Sequence, residues 1–361
     1  MSGALVGLFA ACAGVLVANL YYAQPIIELI APAVDLSAQS ASVIVSLTQI
    51  PVGLFFLVPL ADLHENRRLL TISGVAAAIS LVGAATASQP GVFLLVSLQL
   101  GLSSVSVQIL ISLAAHLAPE ALRGRTVGTI MGGLLSGILL SRPLSSMLAQ
   151  YFGWRAVFYI AAAMTLIMVG IITTTLPPRT PQHRATYAEL LVSLWHLFAR
   201  HAVLRQRSVY QALLFAAFSL FWTAAPLELA SHYGLSQSQI GVFALVGALG
   251  AVAAPIAGRL ADAGHTRIAS YLAMIAAAIS FIPGIAGGAG SLYWLVLTGI
   301  VLDFAVQMNM VLGQRAIYAL DASSRGRLNA LYTHLGWAGV VAAGSGLATV
   351  SLAALAIASW R

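Results

Sequence analysis

Long apolar runs separated by short polar turns organise this chain. They predict helical spans near 4–30, 41–61, 69–88, 92–116, 126–149 and 156–176. A second set is predicted near 209–230, 238–260, 268–287, 291–316 and 328–358. Several runs exceed the roughly 18 apolar residues that suggest a bilayer crossing. Between the two sets the pattern changes. Residues 177–207 contain Pro177, Pro178 and Pro181, histidine and arginine clusters, and no long apolar run. The expected organisation is therefore a six-helix bundle over 1–176, a cytoplasmic linker over 177–207, and a bundle of about five helices over 208–361. Within the linker, Leu190, Leu191, Leu194 and Leu197 recur at helical spacing beside Arg200 and Arg205. That pattern predicts a short amphipathic helix on the inner membrane surface.

The polar turns carry a repeat. Asp62 with Arg67 and Arg68 closes the second span, and Asp262 with Arg267 closes the eighth, at an offset of 200. Arg123-Gly124-Arg125 returns as Arg325-Gly326-Arg327, and Gly153-Trp154 returns as Gly336-Trp337. Such self-similarity marks an internal duplication. From Arg125 to Trp154 there are 29 steps, but from Arg327 to Trp337 only 10. The second half is short by 19 residues, the length of one membrane helix. The count is then eleven spans on a twelve-span plan, with the equivalent of the fifth span of the first half absent and the C-terminus outside.

Composition supports a polytopic all-α membrane protein. Of 361 residues, 60% are hydrophobic and 7% charged, with a mean hydropathy of +0.94. A soluble domain is nearer a quarter charged. The net charge of +7 suggests no nucleic acid: there is no lysine, and 14 of the 17 arginines fall in alternate loops. This alternation is the positive-inside bias and places those loops and the N-terminus in the cytoplasm. The N-terminal run lacks a basic leader and a clear cleavage site, so it reads as a retained helix. The lone Cys12 excludes an internal disulfide.

Candidate chemistry lies inside the spans. Asp303, Gln307, Met310 and Gln314 are spaced to line one face of the tenth. An acid at that depth costs about 2.5–3.5 kcal/mol on insertion scales, so it must face a wet cavity or a partner. Asp303 could take up and release a proton there, or it could bond a neighbouring helix. In the first span, Asn19, Tyr21, Tyr22, Gln24 and Glu28 surround Pro25, which should loosen the helix. These residues suit a substrate cavity or interhelical bonding. Gln99, Ser103 and Ser106 are further cavity candidates in the fourth span. The Gly128/Gly132 and Gly133/Gly137 pairs in the fifth predict close backbone packing. Arg142, in the outer third of that span, needs an anion, either a carboxylate or a substrate. Asp62, Arg67, Arg68, Asp262 and Arg267 are read as gating groups, because ion pairs at the cytoplasmic helix ends can form and break. No HExxH, CxxC or GKS/T stretch occurs, so neither metal nor cofactor is expected.

These residues resemble the major facilitator superfamily. Its signature after helix 2 is Gly-x-x-x-Asp-x-x-Gly-x-Arg-Arg. The copy from Pro59 keeps Asp62, Arg67 and Arg68 but lacks the glycines at the first position and after the aspartate, whereas the copy from Gly258 keeps both. The stretch Asn19-Leu20-Tyr21-Tyr22-Ala23-Gln24-Pro25, the run from Gly132 to Arg142 and the run from Asp303 to Asn329 resemble a bacterial efflux branch, the arabinose-efflux-permease-like and drug:proton-antiporter-like proteins. The resemblance covers almost the whole chain. It implies two six-helix bundles, a central cavity lined by helices 1, 4, 7 and 10, alternating access and proton antiport. Two departures stand out: Gln49-Ile50-Pro51-Val52-Gly53-Leu54 occupies the place where the branch has a Gly-Tyr pair, and the helix-11 equivalent is missing.

The expectation is a monomeric secondary transporter of the bacterial inner membrane that exports a small organic molecule against protons. A second reading is a degenerate carrier that inserts without transporting. A third, an intramembrane enzyme, finds no nucleophile–base or metal constellation to support it.

Overall fold

The computed structural model describes residues 3–36, 43–45, 47–48, 65–118, 123–176, 187–282, 292–320, 328, 331–332 and 335. Most of the expected second and last spans, Asp62, and most of the shortened stretch between Arg327 and Gly336 lie outside the described residues.

Where one span was expected over 4–30, the chain forms α1 (Gly3–Ala18) and α2 (Ile27–Ala33). The break is tight. Leu20, Tyr21 and Gln24 donate their backbone N–H groups three residues back, to Val17, Ala18 and Tyr21. Pro25 has no N–H to continue the ladder. After α3 (Asn66–Thr86), the fourth span also divides, into α4 (Pro90–Ser103) and α5 (Val105–Leu117). Serines cause this. Ser103, Ser104 and Ser106 each turn their hydroxyls back to carbonyls at Gln99, Gly101 and Ser103, a local competition that bends helices. The fifth span is α6 (Arg123–Phe152), 30 residues with Pro143 inside it. Gly153, at φ 83, reverses the chain into α7 (Trp154–Thr175). A β-carbon would strain that conformation.

The linker helix is α8 (Tyr187–Arg200), with Leu194 buried and Val192 and Trp195 exposed. α9 (Ala202–Ser231) follows. The expected eighth span has three parts: α10 (Gln237–Ala244), a 3₁₀ segment (Leu245–Val252) and α11 (Ala253–Asp262). Pro255 cannot donate to the Ala251 carbonyl, which relaxes the α-helical ladder there. α11 ends in a Schellman cap: His265 N–H reaches the Leu260 carbonyl and Gly264 N–H the Ala261 carbonyl, with Gly264 at φ 78. The glycine after the aspartate of the repeated turn thus has a backbone role. α12 (Thr266–Ile279) and α13 (Leu292–Tyr318) complete the described helices.

Five described stretches are long and apolar enough to cross a membrane: Asn66–Thr86, Pro90–Ile111, Trp154–Thr175, Ala202–Ser231 and Leu292–Tyr318. Large apolar side chains such as Ile72, Ile79, Leu95, Leu213 and Ile275 point outward, while serines, glutamines, Arg142 and Asp303 are buried. That inversion suits a chain whose solvent is lipid.

The chain forms two compact units. One comprises Met1–Arg200 with Thr223–Leu249, the other His201–Trp222 with Gly250–Arg361. In the first, α1 packs on α6, α3 on α7 and α4, and α10 on α6. The α1–α6 contact is built on glycine. Gly14, Gly133 and Gly137 meet backbone to backbone, and a β-carbon on Gly14 would lie 2.8 Å from the Gly133 carbonyl oxygen. Gly128 and Gly132 touch nothing there. Edge-to-face rings of Phe93, Trp154 and Phe158, 6.0–6.1 Å apart, tie α4 to α7. In the second unit, α13 packs on α11 and α12.

Candidate functional site

Each unit buries a polar cluster. In the first, the break between α1 and α2 supplies it. Asn19 donates from Nδ2 to Thr165 Oγ1 of α7 at 2.9 Å. Breaking the helix frees backbone carbonyls, and Ser145 donates to that of Tyr22 at 2.6 Å. Arg142, only 2% exposed, donates from Nε to Gln24 Oε1 at 3.1 Å. Its guanidinium carbon lies 5.5 Å from the centroid of the Tyr21 ring. Tyr21, Gln24, Ser141, Ser145 and Ser146 are buried around it, and Tyr22 is half-buried. The structure thus brings together Tyr21, Gln24 and Arg142, while Asn19 is directed toward α7. Gln99 is exposed on α4, and its backbone carbonyl accepts from Ser103.

At the far end of the break, Glu28 accepts a hydrogen bond from Gln237 at the start of α10, and Gln150 Oε1 accepts from Ser238 N–H at 3.1 Å. Ser236 and Gln239 form a capping box at the head of α10. These contacts, with Gly241 against Pro143 and Ser146, hold α10 on α6.

In the second unit, Asp303 sits mid-way along α13 and is 5% exposed. Its Oδ1 accepts from the indole N–H of Trp222 at 2.8 Å. Trp222 stands among Phe218, Phe221 and, through Phe221, Phe281. Gly250 lets the 3₁₀ segment close on the acid: a β-carbon there would come 2.6 Å from Asp303 Cβ. Gln307 and Gln314 are half-buried further along α13.

A second buried group on α13 went unnoticed in the sequence. Asn309 donates to Gln211 Oε1 of α9 at 2.8 Å, and the Tyr332 hydroxyl donates to the same oxygen at 3.1 Å. Asn309 lies off the Asp303 stripe, and Gln211 is on a different helix. Only tertiary proximity links them.

The charged turns pair differently from their sequence spacing. Arg68 and Arg67 reach Glu65 at 2.9 and 3.5 Å. Arg67 also donates to the Thr173 and Leu176 carbonyls, capping the end of α7. Asp262 pairs with Arg315 of α13. Arg267 lies over the Tyr271 ring at 5.8 Å. Asp62 is outside the described residues.

The Major Facilitator Superfamily profile matches residues 6–345. The chain belongs to the major facilitator superfamily. It is 37% identical over 374 aligned positions to "Uncharacterized transporter YgaY" of Escherichia coli O157:H7, covering 98% of this chain and 95% of the relative. Since 98% of 361 residues is about 354, about 20 positions of that alignment face a gap in this chain. That total equals about the 19-residue shortfall expected from the sequence. Among solved structures, a D-xylose–proton symporter has the same fold at TM-score 0.74 and 18% identity, covering 95% of this chain and 89% of that one. A point mutant of the nucleoside transporter NupG follows at TM-score 0.70 and 15% identity, covering 94% and 90%. This superfamily member is a multi-pass membrane transporter, not an enzyme.

Proposed function

We propose that this superfamily member works by alternating access in a bacterial inner membrane, with its N-terminus cytoplasmic, exporting a small organic molecule in exchange for protons. The observation that carries the coupling is Asp303. It is a carboxyl buried mid-span, held by a neutral N–H donor that can serve it charged or protonated. An acid held in this way within a membrane span is a proton-relay candidate by default. Tyr21, Tyr22, Gln24, Arg142, Gln307 and Gln314 are the proposed substrate contacts, with Asn19 and Gln99 as further candidates. Asp62, Arg67, Arg68, Asp262 and Arg267 are the proposed inner gate, to which Arg315 is added because it holds Asp262. The carrier works as a monomer in this scheme.

The test is transport in inverted vesicles. Asp303→Asn is expected to abolish proton-driven movement while leaving exchange of substrate for substrate. Full coupling in that variant removes the assignment. A second reading, an inserted but inactive carrier, draws on the gap of about 20 positions against the relative. It is favoured if wild type is inert and a helix placed between Arg327 and Gly336 restores export.

A further inference from the structure

We infer that Glu28 and Gln237 form a proton-operated latch at the outer end of the first unit: a proton on Glu28 locks α2 to α10, and its loss lets α10 lift away. The inference rests on the carrier reading above, which makes this end the outer one, and adds a protonation site to that of Asp303. The pair joins the two halves of the duplicated sequence, since Glu28 precedes the linker and Gln237 follows it.

A glutamine opposite a carboxyl suits the protonated acid better than the ionised one. Gln237 donates from Nε2 to Glu28 Oε1, so its own Oε1 is the second arm of the same planar head. That oxygen is buried and has no donor among the described residues. Gln237 is 8% exposed, and Glu28 is half-buried. With Glu28 ionised, the pair holds one hydrogen bond, and the amide oxygen stays unmet beside a group that only accepts. With a proton on the carboxyl, its O–H donates to Gln237 Oε1 while its C=O accepts from Nε2. The two heads then bond twice, and the orphaned oxygen is satisfied. The start of α10 favours an anion, but by less than an unmet buried acceptor costs. The proton is taken from the outer water.

Tyr22 and Asp35 flank α2 in the chain. The titratable side chains on the elements around it are Tyr151 of α6, Arg155 of α7, and Glu228, His232 and Tyr233 at the end of α9; α10 carries none. Arg155 turns to the Ala87 carbonyl and the Trp154 ring, and His232 to the Tyr233 ring. Among the described residues none of these groups bonds to Glu28, whose polar partner is Gln237. The other contacts of α10, Ser238 N–H with Gln150 and Gly241 with Pro143 and Ser146, do not titrate. They set where α10 docks, and Glu28 makes the docking answer to protons.

The experiment reads how well α10 covers Ser146. Purified full-length protein in detergent carries Cys12→Ser and Ser146→Cys, and a maleimide measures the labelling rate of the new thiol from about pH 8 down to about pH 5. Thiol reactivity itself changes with pH, so each rate is divided by that of the same background with Glu28→Gln at the same pH. Glutamine at this position keeps size and shape, donates to Gln237 Oε1 and accepts from its Nε2, so it copies the protonated acid. The ratio is expected near unity at the acid end and several-fold higher at the alkaline end. Gln237→Ala removes both forms of the pair and should label faster than Glu28→Gln across the whole range. A ratio that stays flat, or Gln237→Ala that keeps the wild-type response to pH, overturns the inference. Adding Asp303→Asn should leave the response intact. The readout needs no transport, so the latch and the carrier reading fail separately.

Discussion

Replacing Gly137 with alanine tests whether backbone contact between α1 and α6 holds the first unit together. A β-carbon at 137 would lie 2.5 Å from Gly14 Cα and 2.6 Å from its carbonyl carbon. Carbon pairs rest at about 3.5–4.0 Å, so the helices must part by about 1 Å. The obstacle is main chain, which cannot swing aside as a side-chain tip would. Parting also stretches the Arg142–Gln24 bond, which links α6 to the turn after α1. Overpacking of this kind costs about 1–3 kcal/mol. Gly132 is the control: it lies on the same helix, five residues away, and its β-carbon would meet nothing within 4 Å. Alanine there should be neutral or gain up to about 1 kcal/mol of helix propensity. Thermal unfolding of detergent-solubilised protein, followed by tryptophan fluorescence, should place Gly137→Ala several degrees below wild type and Gly132→Ala at or above it. Equal melting of the two variants would refute the packing argument.

The other expectations are as follows. Trp222→Phe keeps the aromatic packing but removes the donor to Asp303. It should lower stability by about 1–3 kcal/mol and slow proton-driven transport several-fold in vesicles; unchanged values for both would separate the indole from the acid's function. The Asp262–Arg315 pair is well exposed, with side chains at 68% and 46%, so breaking it should cost less than about 1 kcal/mol in unfolding assays. Transport should nevertheless fall more in Arg315→Gln than in Arg267→Gln, and the reverse order would deny Arg315 a place in the gate. Gly241→Leu would drive a side chain into Ser146 and Pro143, whose atoms lie 2.9 and 3.3 Å from where the new β-carbon would stand. In a Cys12→Ser, Ser146→Cys background it should raise labelling by a membrane-impermeant thiol reagent; no rise would mean that α10 does not cover this site.

Hydropathy and spacing in the chain were enough to establish a helical membrane protein, and to predict an internal duplication and a shortfall of one span's length, because lipid imposes length and apolarity on every crossing. They also singled out polar residues that the fold buries: Asp303, Arg142 and Gln24 stood out because polar groups are costly inside a span. The Pro25 break was legible for the same local reason, since proline removes a ladder donor wherever it stands. The partners were not legible. Arg142 meets Gln24 across 118 positions, Asp303 meets Trp222 across 81, and Asp262 takes Arg315 in place of nearby Arg267. Periodicity reports which face of a helix a residue occupies, whereas the identity of its partner depends on how helices pack. The break at Ser104 likewise needed coordinates, because the apolar run continues through it. A hydroxyl bonding back to its own helix changes the backbone without changing the hydropathy.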